Sequence, residues 1–241
     1  MKIPFTVERF FEVLARYNES LWPMPVVLIM LAIAIVVLLV RARPGGSRLI
    51  AGALTFFWAW MAVAYHFAFF TAINPAAWFF GVLFLAGALG FAWMGVFKER
   101  LRFSLHKGFR AWLGGLLIVF SLISYPIIGF LFGHRYPAMP TFGLPCPTTI
   151  FTIGLLLFAV APFPRSVFAV PMLWSAIGSF AAFQLKVPQD YGLLIAGLIG
   201  LTVAVLPFQT AGRGPQKDAP QAPARQTRAS RSDGGVPENG G

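Results

Sequence analysis

The sequence predicts an all-α, polytopic transmembrane helical bundle of about seven spans, preceded by an amphipathic helix at the membrane surface. Three observations predict it. The chain is 58% hydrophobic and only 11% charged, against roughly 25% charged in an average soluble domain. Apolar runs free of Lys, Arg, Asp and Glu recur at 24–40, 49–70, 76–97, 111–132, 148–163, 166–185 and 191–208. Most match the roughly 17–25 residues that a helix needs to cross a hydrocarbon core of about 30 Å. Backbone amides in lipid have no water to bond, so crossing segments are helices or closed barrels. The mean hydropathy of +0.74 agrees with this class.

Residues 1–23 form the first segment. Val7, Phe10, Leu14, Tyr17 and Leu21 recur at helical spacing, while Glu8, Arg9, Glu12, Arg16 and Glu19 occupy much of the other face. The segment is too polar to span, and such a pattern suits a helix lying in the interface. Trp22-Pro23-Met24-Pro25 ends it and turns the chain inward. The first run follows a mixed-charge segment and ends in Arg41 and Arg43, the reverse of a cleaved signal peptide's basic start.

Net charge is +11, which invites a nucleic-acid reading, but the basic residues lie in short segments between runs. Arg41, Arg43, Arg48, Lys98, Arg100, Arg102, Lys107, Arg110 and Arg165 fall on one side of a seven-span chain, with the arginines of the tail. Lys2, Arg9, Arg16, Arg135 and Lys186 fall on the other. Basic loops stay inside, so the N-terminus is expected outside and the C-terminus in the cytoplasm. No nucleic-acid partner is expected; the first partner is the lipid bilayer. Residues 209–241 are rich in Gly, Pro, Ala, Gln and Arg and are expected to be a disordered cytoplasmic tail.

Within the spans, Pro126 and Pro171 are expected to kink their helices. Gly192, Ala196, Gly200 and Ala204 form a small-residue stripe in the last run, matched by Ser175, Gly178, Ser179 and Ala182 in the run before it. Such stripes let helix backbones approach closely, within the bundle or as the face of a homo-oligomer or membrane partner. The aromatic residues, including Trp58, Trp60, Trp78, Trp93, Trp112 and Trp174, read as packing and interfacial anchors.

Chemistry-bearing residues gather at the predicted outer side. The 71–75 turn contains Asn74-Pro75, and the 133–147 loop contains His134, Met139 and Cys146. Pro147 suits the first turn of the fifth run, placing Cys146 at or beside its N-cap, where the helix dipole favours a thiolate. His66 lies about one and a half turns below the outer turn. Cys146, His66, His134 and Asn74 are therefore the candidate binding residues. Cys146, His66, His134 and Met139 form a candidate soft-metal set. No cofactor and no catalytic residue can be assigned. No carboxylate lies inside a run, which argues against a proton- or sodium-coupled relay. No paired acids, activated nucleophile, phosphate loop or zinc motif is present.

Tyr17-Asn18, Trp22-Pro23, Ile73-Asn74-Pro75 and above all Phe142-Gly143-Leu144-Pro145-Cys146-Pro147-Thr148-Thr149 resemble an uncharacterised bacterial family of multi-pass integral membrane proteins of unknown function. The resemblance covers about residues 5–207 and implies an inner-membrane protein, with no substrate, reaction or catalytic residue to transfer. Three readings of function follow. The first is an uncoupled small-solute or ion permease, and the second a membrane-embedded partner or sensor subunit. The third is a redox or soft-metal protein using Cys146.

Overall fold

The computed structural model describes residues 4–206, and every structural statement below concerns those residues. The expectation for 209–241 lies outside them. Helix α1 (Val7–Ser20) leads into α2 (Met24–Arg41), α3 (Gly46–Ala72), α4 (Ala77–Phe97), α5 (Phe109–Leu131), α6 (Pro145–Leu156), α7 (Arg165–Leu185) and α8 (Pro188–Val205). All but α1 and α6 are long and apolar enough to cross a membrane, so six helices meet that measure. Their outward faces carry exposed Met30, Val82, Leu89, Leu116, Phe183 and Leu198, an apolar belt that water would not tolerate.

Expected and observed elements differ most at α6. The run at 148–163 is helical only over twelve residues, Pro145–Leu156. From Pro147 to Leu157 every residue is buried. The helix packs against α5, α7 and α8 in the middle of the bundle. Gly114 of α5 and Gly154 of α6 make this approach possible. A Cβ on Gly154 would stand 3.0 Å from the Gly114 carbonyl oxygen, and one on Gly114 would stand 2.9 Å from the Gly154 oxygen. A continuous apolar run signals burial on all sides without fixing where the helix stops.

A helix with both ends buried must satisfy its terminal amides and carbonyls from within the protein. At the start, Pro145 and Pro147 have no N–H, so two of the four orphan donors do not exist. Leu144 N–H donates to the Thr141 oxygen (3.1 Å), and Thr148 Oγ1 accepts from Gly143 N–H (3.0 Å). At the other end, Arg110 Nη2 donates to the carbonyls of Leu156 (3.1 Å) and Ala159 (2.9 Å). His106 Nε2 lies 3.2 Å from the Leu157 oxygen, and Ser104 N–H donates to Phe158 O (3.0 Å). Arg110 thus acts on particular carbonyls beside its place in the basic segment.

The bundle has two distinct ends. One joins α1, the 71–75 turn, the 133–144 loop and residues 186–190, through contacts such as Phe5 on Phe70 and Gln189 Nε2 to His134 Nδ1 at 2.9 Å. The other joins the basic segments. There Phe103 N–H donates to Ser47 Oγ (2.9 Å), Arg48 pairs with Glu99 (3.5 Å), and Arg165 caps the Val205 and Leu206 carbonyls of α8. Helix α6 starts at the first end, and residues 157–163 continue to the second.

Other expectations also find their place. The small-residue stripe of α8 faces the protein's own bundle. A Cβ on Gly192 would enter the Phe120 ring, Gly200 abuts Ile153 and Phe168, and Ala196 is buried. Gly197 sits on Ser175, and Gly178 on Leu193, so the two stripes bring α7 and α8 together. Pro126 and Pro171 follow changes of winding, a π turn at Phe120–Ser124 and a 3-10 turn at Arg165–Phe168. Irregular turns of this kind absorb a missing donor. Helix α1 does not lie free of the bundle, because Val13, Leu14, Tyr17 and Asn18 are buried against it.

Replacing Arg110 by Met keeps the length of the side chain and removes both carbonyl contacts. Leaving buried acceptors bare costs about 1–3 kcal/mol. The R110M chain should therefore unfold at lower denaturant in an SDS titration, by a shift of that size.

Candidate functional site

The first end of the bundle encloses a cavity of about 220 Å³. Its walls are mostly apolar, from Phe10 and Leu14 of α1, Tyr65 and Phe70 of α3, Phe80 of α4, and Ile177 and Ala181 of α7. Its polar floor is built from three helices. Tyr125 comes from α5, Cys146 from the first turn of α6, and Asp190 from the first turn of α8.

Asp190 is the residue that sequence reasoning missed. It stands immediately before the 191–208 run, so the run pattern places it in a loop and leaves the spans without a carboxylate. The structure corrects this: Asp190 is 5% exposed. A signal was available, because Pro188 two residues earlier is a favoured helix opener and places Asp190 already inside the first turn. Asp190 occupies the N-cap position of the α-helical part of α8, yet its side chain does not cap the helix. It turns inward and accepts a hydrogen bond from Tyr125 Oη, and the Cys146 side chain lies beside the same carboxylate. Among the described residues no cationic side chain lies within ion-pair distance of it.

Cys146 therefore faces a buried carboxylate, and the neighbouring Pro145 and Pro147 offer it no N–H. The expectation of a thiol activated by helix amides gives way to a thiol buried beside a carboxylate. Trp174 Nε1 points towards the sulfur, and no acceptor completes a bond of full geometry to this buried N–H.

Asn74 lines the same cavity, and its Oδ1 accepts from Ala76 N–H (3.1 Å), the local turn that opens α4. His66 lies behind the wall, fully buried among Tyr65, Phe70, Phe80, Phe84 and Trp174, with neither ring nitrogen bonded. His134 packs on Phe11 and meets Gln189; burial pushes its pKa down, against the opposing effect of the Gln189 contact. Met139 lines a separate crevice with Trp22 and Tyr136. The candidate metal set is thus spread over four surroundings. Among the described residues no group of three or more His, Cys, Asp or Glu is placed to hold a metal ion.

Helix α1 roofs the cavity and is fastened by Asn18. Asn18 Nδ2 donates to the carbonyls of Pro137 (2.6 Å) and Met139 (2.9 Å), and Oδ1 accepts from Thr141 Oγ1 (2.7 Å). One residue earlier, Tyr17 Oη accepts from Trp60 Nε1 (2.8 Å). Burial pushes the Tyr17 phenol up to about 12 despite that bond, so it stays protonated. Asn18→Ala should release both α1 and the 133–144 loop. Hydrogen exchange in those two segments should rise at least tenfold, the equivalent of about 1.4 kcal/mol, with α6 unchanged.

The chain belongs to a family of unknown function, DUF6064, whose model matches residues 7–214. No curated protein and no solved structure matches it.

Proposed function

We propose that this DUF6064 member is a seven-pass protein of the bacterial inner membrane that captures a small, mainly apolar solute on its outer side. The buried Asp190 in an apolar cavity, with no cationic side chain within ion-pair distance among the described residues, carries the reading. Ionisable groups inside membrane bundles are expensive and mark binding sites or pathways. A largely apolar pocket with a few convergent polar groups is the ordinary form of a small-molecule site. At about 220 Å³ the cavity is smaller than the roughly 300–1,000 Å³ of drug-sized sites, so the solute is small.

The six long apolar helices and the buried α6 support seven passes. The basic end supports an N-terminus outside and a cytoplasmic C-terminus, by the bias of Lys and Arg towards the cytoplasm. The α1 end is then the outer end, and α1 lies at the outer interface. Close-packed α6 stands between the cavity and the basic end, which favours capture, as in a receptor or sensor subunit, over an open uncoupled permeation path.

Two experiments test these statements. In a Cys146→Ser background, Arg135→Cys should react with an impermeant maleimide in intact cells, whereas Lys107→Cys should react only after permeabilisation; the opposite pattern inverts the topology. The full chain in lipid nanodiscs should give saturation-transfer NMR signals with 2-phenylethanol. Filling the cavity with Ala181→Trp should reduce them several-fold. Equal signals from both proteins would remove the cavity as the site.

A further inference from the structure

The chemistry of the occupant can be narrowed further, on the premise that the cavity binds a solute. Asp190 accepts from one neutral donor, Tyr125 Oη, has the neutral Cys146 beside it, and among the described residues meets no cationic side chain within ion-pair distance. Hydrogen bonds from neutral groups stabilise a buried carboxylate only partly, because its charge is still removed from water. The surrounding surface is aromatic. Tyr65, Phe70, Phe80, Tyr125 and Trp174 all line the cavity that Asp190 opens into. Aromatic faces are negative and attract cations, most strongly where water is excluded. An anion would meet repulsion from both the carboxylate and the rings, and a neutral solute would leave the carboxylate's charge uncompensated.

We propose that the occupant is a small lipophilic amine bound as its ammonium ion, with N–H groups donating to Asp190 and its hydrocarbon part held by the aromatic wall. Asp190 stands in the first turn of α8 with helical backbone angles, so its side chain does not cap that helix and instead reaches Tyr125 and the cavity. Trp174 Nε1 adds a second recognition point. It is a buried donor without a full partner on the cavity wall, so an oxygen next to the ammonium would accept from it. Access is from the side: exposed Ala76 and Phe180 and half-buried Phe5 and Phe10 lie on the cavity's rim. An amine partitioned in the outer leaflet reaches it there without crossing the bundle.

The test compares two probes of nearly the same shape, 2-phenylethylamine, charged at pH 7, and neutral 2-phenylethanol. Both are titrated onto the full chain in uncharged phosphatidylcholine nanodiscs, which hold no anionic lipid to concentrate the amine. Binding is read by tryptophan fluorescence and saturation-transfer NMR. The wild-type chain should bind the amine about tenfold more tightly than the alcohol, the ratio expected for one buried ionic contact worth about 1.4 kcal/mol. Asp190→Asn should bring the ratio close to one while alcohol binding persists. The wild-type comparison needs no variant, so a misfolded D190N chain leaves it decisive. Binding of both probes with a ratio near one overturns the ammonium assignment and leaves the solute site standing. Binding of neither overturns both. An amine preference that survives in a folded D190N chain removes Asp190 as its anchor and overturns the assignment.

Discussion

The structure depends on one constraint: a twelve-residue helix, α6, is buried at both ends. Backbone groups hidden from water must find partners, and each failure costs about 1–3 kcal/mol. The chain meets this by two routes. At the start of α6 it removes donors, by placing prolines at the first and third helical positions. At the end it supplies donors, through Arg110 and the Ser104 amide, with His106 beside them. The Pro-Cys-Pro sequence follows from this requirement, because a helix start rich in N–H groups would be unstable there.

That solution also builds the site. Pro145 and Pro147 fix the direction of the first turn of α6, and between them Cys146 reaches the Asp190 carboxylate. The carbonyl of Pro147 accepts from Ser121 Oγ (2.6 Å), which ties α6 to the π turn of α5 one turn before Tyr125. The two side chains that meet Asp190, Tyr125 and Cys146, therefore come from helices that are themselves joined. Asp190 reports the relative placement of α5, α6 and α8, and any solute bound to it acts on the same junction.

The apolar runs made the helical class and six long helices legible, because span length and charge exclusion are local properties. The fifth run does not fix where its helix ends, because continuous hydrophobicity records burial, and α6 is helical over only twelve residues that protein surrounds. Its continuation through 157–163 is non-helical backbone, tolerable at depth where protein encloses it. The small-residue stripes showed that α8 would be closely approached. They did not show by what, since Phe120 and Ser175 are distant in sequence. Cys146 and Asn74 were named from local sequence and do line the cavity, whereas His134 and Met139 share only a loop with Cys146. Asp190 escaped because a boundary drawn one residue late moved it from helix to loop. Its function depends on where its side chain points, and that is set by Tyr125 and Cys146, both far away in the chain.

His66 extends the same reasoning. Each neutral imidazole carries one donor and one acceptor, and here both ring nitrogens are buried without partners. Trp174 stands against this ring on one side and towards Cys146 on the other, with its own N–H unmatched. Unmet polar groups are unusual in a folded protein, where nearly all such groups are paired. Elsewhere the chain spends considerable effort on pairing, at both ends of α6 and at Asn18. The contrast is one of degree, since Thr149 Oγ1 within α6 is also unmatched. The ends of α6 are held by several bonds, whereas Trp174 on the cavity wall and His66 behind it retain bonding capacity beside the site.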